Sequence, residues 1–269
     1  MGKSVVRGAV QPAVDWQAPW LDPWADFLVH VGLEIAPEFG STNALPPEFL
    51  ALNGLRNLNP SPQFVPHTAV PESEGYEAFI QRTGQVPTRD NLHDVFNGLV
   101  WLRFPQAKAA MNRLHVQEIA RLGGNSPRGA VRDALTLFDE NGALLQCPDA
   151  LWQALVAKDW QRLFVTGRPL WQQARLVLFG HALLETLITP RKPLVAHVYR
   201  IKSGFDRADC PTKNTENIAN LDAIFAQHIT PESMAMKPFA PLPVLGVPGW
   251  WPANEEPAFY DDAAVFRRP

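Results

Sequence analysis

The chain is poor in several things, and each shortage removes a class of function. Only Cys147 and Cys210 occur in 269 residues. Two cysteines so far apart are no disulfide framework and no CxxC metal pair, and they point to reduced thiols in a cytoplasmic protein. The N-terminal MGKSVVRGAVQPAVDWQAPW lacks the apolar run of a secretory leader. Charge of one sign is also scarce: the net charge is −3, so the whole molecule shows no electrostatic footprint for nucleic acid. The glycine-rich dinucleotide fingerprint, the phosphate-binding loop, GxSxG, HExxH and the EF-hand loop are all missing. The common nucleotide, serine-hydrolase and zinc-protease signatures therefore do not apply.

Apolar residues and proline are plentiful. Hydrophobic residues make up 46% and charged residues 19% of the chain, and nine tryptophans promise a large aromatic core. Prolines punctuate both ends. We read residues 10–75 as a helical and irregular wrap with an opening helix over 16–33 and a short helix over 47–52. Residues 76–230 read as a helical core, and 231–269 as a second wrap that packs Trp250, Trp251, Phe259 and Tyr260 onto the body. The expected fold is one α+β domain, predominantly helical, with a small sheet.

Within the core, 76–82 begins the helices. Asp90 or Asn91 caps a helix over 91–104 that stops before Pro105. A second runs over 106–122 to Gly123-Gly124. The stretch 134–147 reads as a β-hairpin around Asn141-Gly142, with Asp139 and Glu140 at its tip, either solubilising the turn or reaching over a site. Further expectations are a helix over 148–158, a strand over 194–201 and a helix over 217–229 bearing Asp222. The segment 170–188, LWQQARLVLFGHALLETLI, reads as a helix apolar nearly all round. It places His181 and Glu185 one turn apart on a dry face, with Gly180 admitting a close neighbour. Arg175, His181 and Glu185 make it a poor membrane span.

Ionisable groups in a dry place need partners or ligands. On the 91–104 helix, His93, Asp94, Asn97 and Trp101 form a strip beside the core face, and on the next helix Lys108, Asn112 and His115 form another. Between Arg82 and Arg132 lie eight basic and three acidic residues, about +5, inside an acidic remainder. Such a segment suits a small anion. His93 is the candidate general base or ligand, Asp94 its orienter or a metal ligand, and Glu185 the group that orients or ionises His181. Asn97 is a substrate anchor, Trp101 and Asn112 are further binding residues, and Lys108 neutralises the anion. Three readings of His181 and Glu185 stay open: a structural ion pair, a metal-free catalytic pair, or a divalent-metal site completed by His93 or Asp94. For the molecule, the corresponding readings are a hydrolase acting on an anionic, phosphate-bearing substrate, a non-catalytic ligand- or protein-binding module, and buried pairs that only specify packing. An active site requires the two histidine strips to meet across a pocket.

The succession TRDNLHDVFNGLVWLRFPQAKAAMNRLH, RDALTLFDENGALL, LFGHALLE and PVLGVPGWWPANEEPAFYDDAAVF resembles a bacterial family known as domain of unknown function 3025. The resemblance covers roughly residues 76–266. It implies a bacterial, proteobacterial origin and a shared domain whose pattern matches here at His93, Asp94, Asn97, Trp101, Lys108, Asn112, Asp139, Glu140, His181 and Glu185. It carries no reaction.

Overall fold

A computed structural model describes residues 14–24, 27, 52–53, 62–123, 129–202 and 215–267. Residues 25, 26 and 28–33 of the expected 16–33 helix, and 47–51 of the 47–52 helix, lie outside them. What is described of the first begins as a single 3-10 turn, Pro19–Leu21.

Local signals explain most helices. Helix α1 (Tyr76–Thr83) ends at Gly84, whose φ of 67° is the left-handed conformation of a C-terminal cap. Strand β1 (Gln63–Pro66) pairs in parallel with β2 (Gln85–Thr88) beside it. Helix α2 (Leu92–Arg103) is capped by Asn91, whose Oδ1 accepts from the Asp94 N–H at 2.8 Å. Pro105 then opens α3 (Pro105–Leu122). The freed N–H groups at the start of α3 are met from far away. Asp222, in α7 (Thr215–His228), accepts from Gln106 N at 3.0 Å and Ala107 N at 2.8 Å. Asp222 is almost fully buried, and burial raises its pKa while these N–H donors pull it back down. Asp222→Ala should therefore destabilise the protein by about 1–3 kcal/mol in urea unfolding, because the buried Ala107 N–H and the part-buried Gln106 N–H lose their acceptor. A loss within about 0.5 kcal/mol, the size of an ordinary surface change, would mean that water replaces the carboxylate.

Two expected elements differ from those observed. The 134–147 hairpin is instead helix α4 (Ala130–Asn141) running straight into strand β3 (Gly142–Gln146). Val131, Ala134, Leu135 and Phe138 are buried at helical spacing, and a window opening at Ala134 hides that period. Gly142 has φ −75° and ψ 155°, so it is the start of a strand and not part of a type I′ turn, which requires positive φ.

The 170–188 helix is likewise three elements. A 3-10 segment (Arg168–Gln173) leads to strand β4 (Arg175–Leu178) and then to the short helix α6 (His181–Thr186). A continuous apolar run has no period by which helix and buried strand can be told apart. Here Val177 and Leu178 pair antiparallel with Leu144 and Ala143 of β3.

The larger sheet has the order β4-β3-β5-β6, with β5 at Val195–Arg200 and β6 at Ala240–Pro243. Strand β3 is buried throughout, parallel to β5 and antiparallel to β4. Helix α5 (Asp149–Val156) follows β3, and α8 (Pro231–Ala235) follows α7. The result is an α+β fold, mostly helical, with two small sheets among the described residues.

The C-terminal segment packs back as expected. Tyr260 and Phe266 are core residues, and Trp250, Trp251 and Phe259 pack against the core. Asn254 fixes this irregular stretch by donating to the carbonyls of Leu245 and Val247 at 2.8 and 2.7 Å.

Candidate functional site

Helix α6 packs on both α2 and α4, α3 touches both of those helices, and α1 packs on α3, around a cavity of about 500 Å³. The two histidine strips meet in its wall. His93 lies in the first turn of α2 and His181 is the first residue of α6. Their Nε2 atoms are 3.0 Å apart, and their rings meet edge to face at 74°. This contact depends on Gly180. A Cβ there would lie 2.5 Å from Asn141 Cα and N and from the Glu140 carbonyl oxygen. The absent side chain lets the start of α6 touch the end of α4.

Glu185 keeps the predicted one-turn spacing from His181 but serves the other ring: its Oε2 lies 2.9 Å from His93 Nδ1. A carboxylate only accepts, so it fixes the proton of His93 on Nδ1. The two Nε2 atoms face each other, so one of them donates and the other accepts. His181 Nδ1 is buried and makes no side-chain hydrogen bond, with the backbone of Asp139 beside it and the Asp139 carboxylate 4.0 Å away. Burial pushes the His181 pKa down to about 4, against the opposing pull of Asp139, so this ring is neutral near pH 7. On its cavity side, Glu140 Oε2 stands 3.6 Å from His181 Nε2. Burial and the neighbouring Asp139 charge raise the Glu140 pKa.

Several expected roles change. Asp94 does not orient His93, because its Oδ2 accepts from the Arg89 N–H at 2.6 Å and its own N–H is held by the cap. Lys108 faces the cavity, but its charge is already matched. Its Nζ donates to Asp139 Oδ1 at 2.5 Å and to Asn97 Oδ1 at 2.8 Å, and it lies 5.3 Å from the centre of the Trp101 ring. Burial opposes the Asp139 charge, yet Lys108 and His181 hold its pKa below the usual carboxylate value. Asn97 is committed at both ends, its Nδ2 reaching Tyr76 Oη at 3.2 Å. Asn112 donates to the Glu77 carbonyl at 3.1 Å, tying α3 to α1. These residues build the wall. The cation at the cavity edge is Arg89, whose Nη2 lies 3.1 Å from His67 Nε2.

His67 and Tyr76 carry no signal in the sequence, since single polar residues have no period to read, and Arg89 is visible there as one of the eight basic residues between Arg82 and Arg132. Asp139 and Glu140 are visible there as acids able to reach a site, but on the wrong element. Three groups here could hold a metal: His93, Glu140 and His181 each offer an atom within 4.8 Å of the others. Glu185 and Asp94, both candidates from sequence, are engaged elsewhere. Cys147 is no rival nucleophile, because burial raises its thiol pKa to about 11.

Residues 62–269 match the family described as Protein of unknown function (DUF3025), and the chain belongs to that family. No curated protein and no solved structure matches it.

Proposed function

We propose that this family member is a hydrolase acting on a small anionic, phosphate-bearing substrate in the cavity between α2, α3, α4 and α6. The observation that carries the reading is the His93–His181 contact in the cavity wall, with Glu185 behind one ring and Glu140 beside the other. In a purely structural pair the groups would be sealed from solvent. Here the His93 and Glu185 side chains each keep 38% of their surface exposed. Once His93 Nε2 exchanges His181 for a water, it takes that water's proton as the water oxygen bonds to phosphorus and the bond from phosphorus to the leaving oxygen breaks; Glu185 stabilises the imidazolium, which returns the proton to the leaving oxygen. Arg89, steadied by His67 Nε2 accepting from its Nη2, supplies the positive edge for the substrate's non-reacting oxygens, and Asn97, Trp101 and Lys108 shape the wall. We place the activity in the bacterial cytoplasm, supported by the sparse cysteines and the buried Cys147 thiol. Among the described residues no helix is long and apolar enough to cross a membrane.

The test is turnover of p-nitrophenyl phosphate, bis-p-nitrophenyl phosphate and p-nitrophenyl acetate, each with Mn²⁺, with Zn²⁺ and with EDTA. Wild type should hydrolyse a phosphate substrate in preference to the acetate. Folded His93→Ala should lose about 10²–10⁴-fold in rate. Equal rates in the variant, or no turnover of either phosphate ester, would defeat the proposal.

A further inference from the structure

We infer that His93 Nε2, His181 Nε2 and Glu140 Oε2 form a binding site for a divalent transition-metal ion of the zinc class. Three donors from three helices face one another in the cavity wall, all within 4.8 Å. The His93–His181 separation is 3.0 Å and the His181–Glu140 separation 3.6 Å. Zinc bonds of about 2.05 Å at tetrahedral angles place ligand atoms about 3.3 Å apart, between these two values. Two imidazoles and one carboxylate are also the ligand number of catalytic zinc sites, which leave a position for water or substrate.

The proton arrangement points the same way. Without a cation, the two Nε2 atoms share a single hydrogen, and buried His181 Nδ1 makes no side-chain hydrogen bond. With a cation between the rings, both Nε2 lone pairs become ligands, and both hydrogens move to Nδ1. That of His93 meets Glu185 at 2.9 Å, and that of His181 turns toward the Asp139 carboxylate at 4.0 Å. Each ligand ring then has a carboxylate behind it, the arrangement that orients histidines on metals. His181 is 4% exposed and fixed against the end of α4, so the site is largely pre-formed. The donors lie at His93, Glu140 and His181, a spacing no local metal motif describes.

Only the use of the ion rests on the proposed hydrolase, since a bound cation would replace His93 as the group that makes water nucleophilic near neutral pH. Binding itself needs no substrate. The experiment is calorimetric titration of the EDTA-stripped full chain with Zn²⁺, with circular dichroism confirming the fold of every variant. We expect one ion per chain. His181→Ala and the near-isosteric Glu140→Gln should each weaken binding on the order of 100-fold. Glu185→Gln, behind His93, should weaken it about 10–100-fold. Glu74→Gln, in a surface pair with Arg82 far along the chain, should change nothing. Zinc binding that is equally tight in wild type, His181→Ala and Glu140→Gln, or no binding by wild type, overturns the site. Tight, variant-sensitive binding without hydrolysis of any ester keeps the metal site and defeats the hydrolase. Hydrolysis that is His93-dependent and fully retained in EDTA does the reverse.

Discussion

Gly180→Ala should cost about 3–5 kcal/mol or prevent folding, the range reserved for changes the core cannot absorb. The obstacle is spatial and not conformational. Gly180 has φ −64° and ψ 114°, a backbone that alanine adopts without strain. The new methyl group, however, would sit 2.5 Å from three backbone atoms of Glu140 and Asn141. Side chains can rotate away from such a clash, but the last turn of α4 cannot, because Asn141 leads directly into the central strand β3. Relief requires α6 to withdraw from α4, and that withdrawal separates His181 from Glu140. The variant should therefore lose stability in urea unfolding and also lose zinc binding. Gly75→Ala is the control. A Cβ at Gly75 would have nothing within 4 Å, and φ there is −74°, so a change within about 0.5 kcal/mol is expected. A Gly180→Ala protein as stable as wild type would show that the two helix ends are not in contact.

Lys108→Met should cost roughly 2–4 kcal/mol. Removing one partner of a buried ion pair typically costs about 3–5 kcal/mol, since the other charge is left without compensation. The lower figure applies here because Asp139 retains 28% exposure, whereas Lys108 keeps only 5%. The loss also strips Asn97 Oδ1 of its donor and Trp101 of its cation. Lys108→Met combined with Asp139→Leu should recover most of the stability, because a buried pair replaced by apolar groups of similar size is often neutral. A single variant that loses less than about 1 kcal/mol, the value of a surface pair, would return Lys108 to the role of a free cation awaiting an anionic substrate.

The contrast between these two residues shows what sequence can convey about such a site. Gly180 stands out because a glycine beside His181 in an apolar run suggests close approach, and spacing alone puts His181 and Glu185 on one face. Likewise Asn91, Pro105 and Gly123 mark helix ends by their own backbone chemistry, so α2 and α3 fall within a residue or two of expectation. Lys108 is legible as a cation on the correct helix face, but nothing in the chain announces that Asp139, 31 positions later, consumes its charge. The partner of Glu185 is hidden for the same reason: its contact is with His93, 92 positions away, and not with His181 in its own turn. The α4–β3 junction and the 168–188 segment mislead because apolar residues run there without a period. The sheet decides the conformation in both, because β3 needs β4 as a neighbour. These two departures also conceal Glu140, which belongs at a helix end beside His181 and not at the tip of a hairpin.

The central claim is that His93, His181 and Glu140 surround one reactive point. Diffraction at the zinc absorption edge, from crystals of the full chain grown with Zn²⁺, tests it most directly. The expected result is one strong anomalous peak within about 2.0–2.2 Å of His93 Nε2, His181 Nε2 and Glu140 Oε2, with Glu185 still on His93 Nδ1. Zinc bound only elsewhere, with the two imidazoles in direct hydrogen bond and Glu140 turned away, would contradict it.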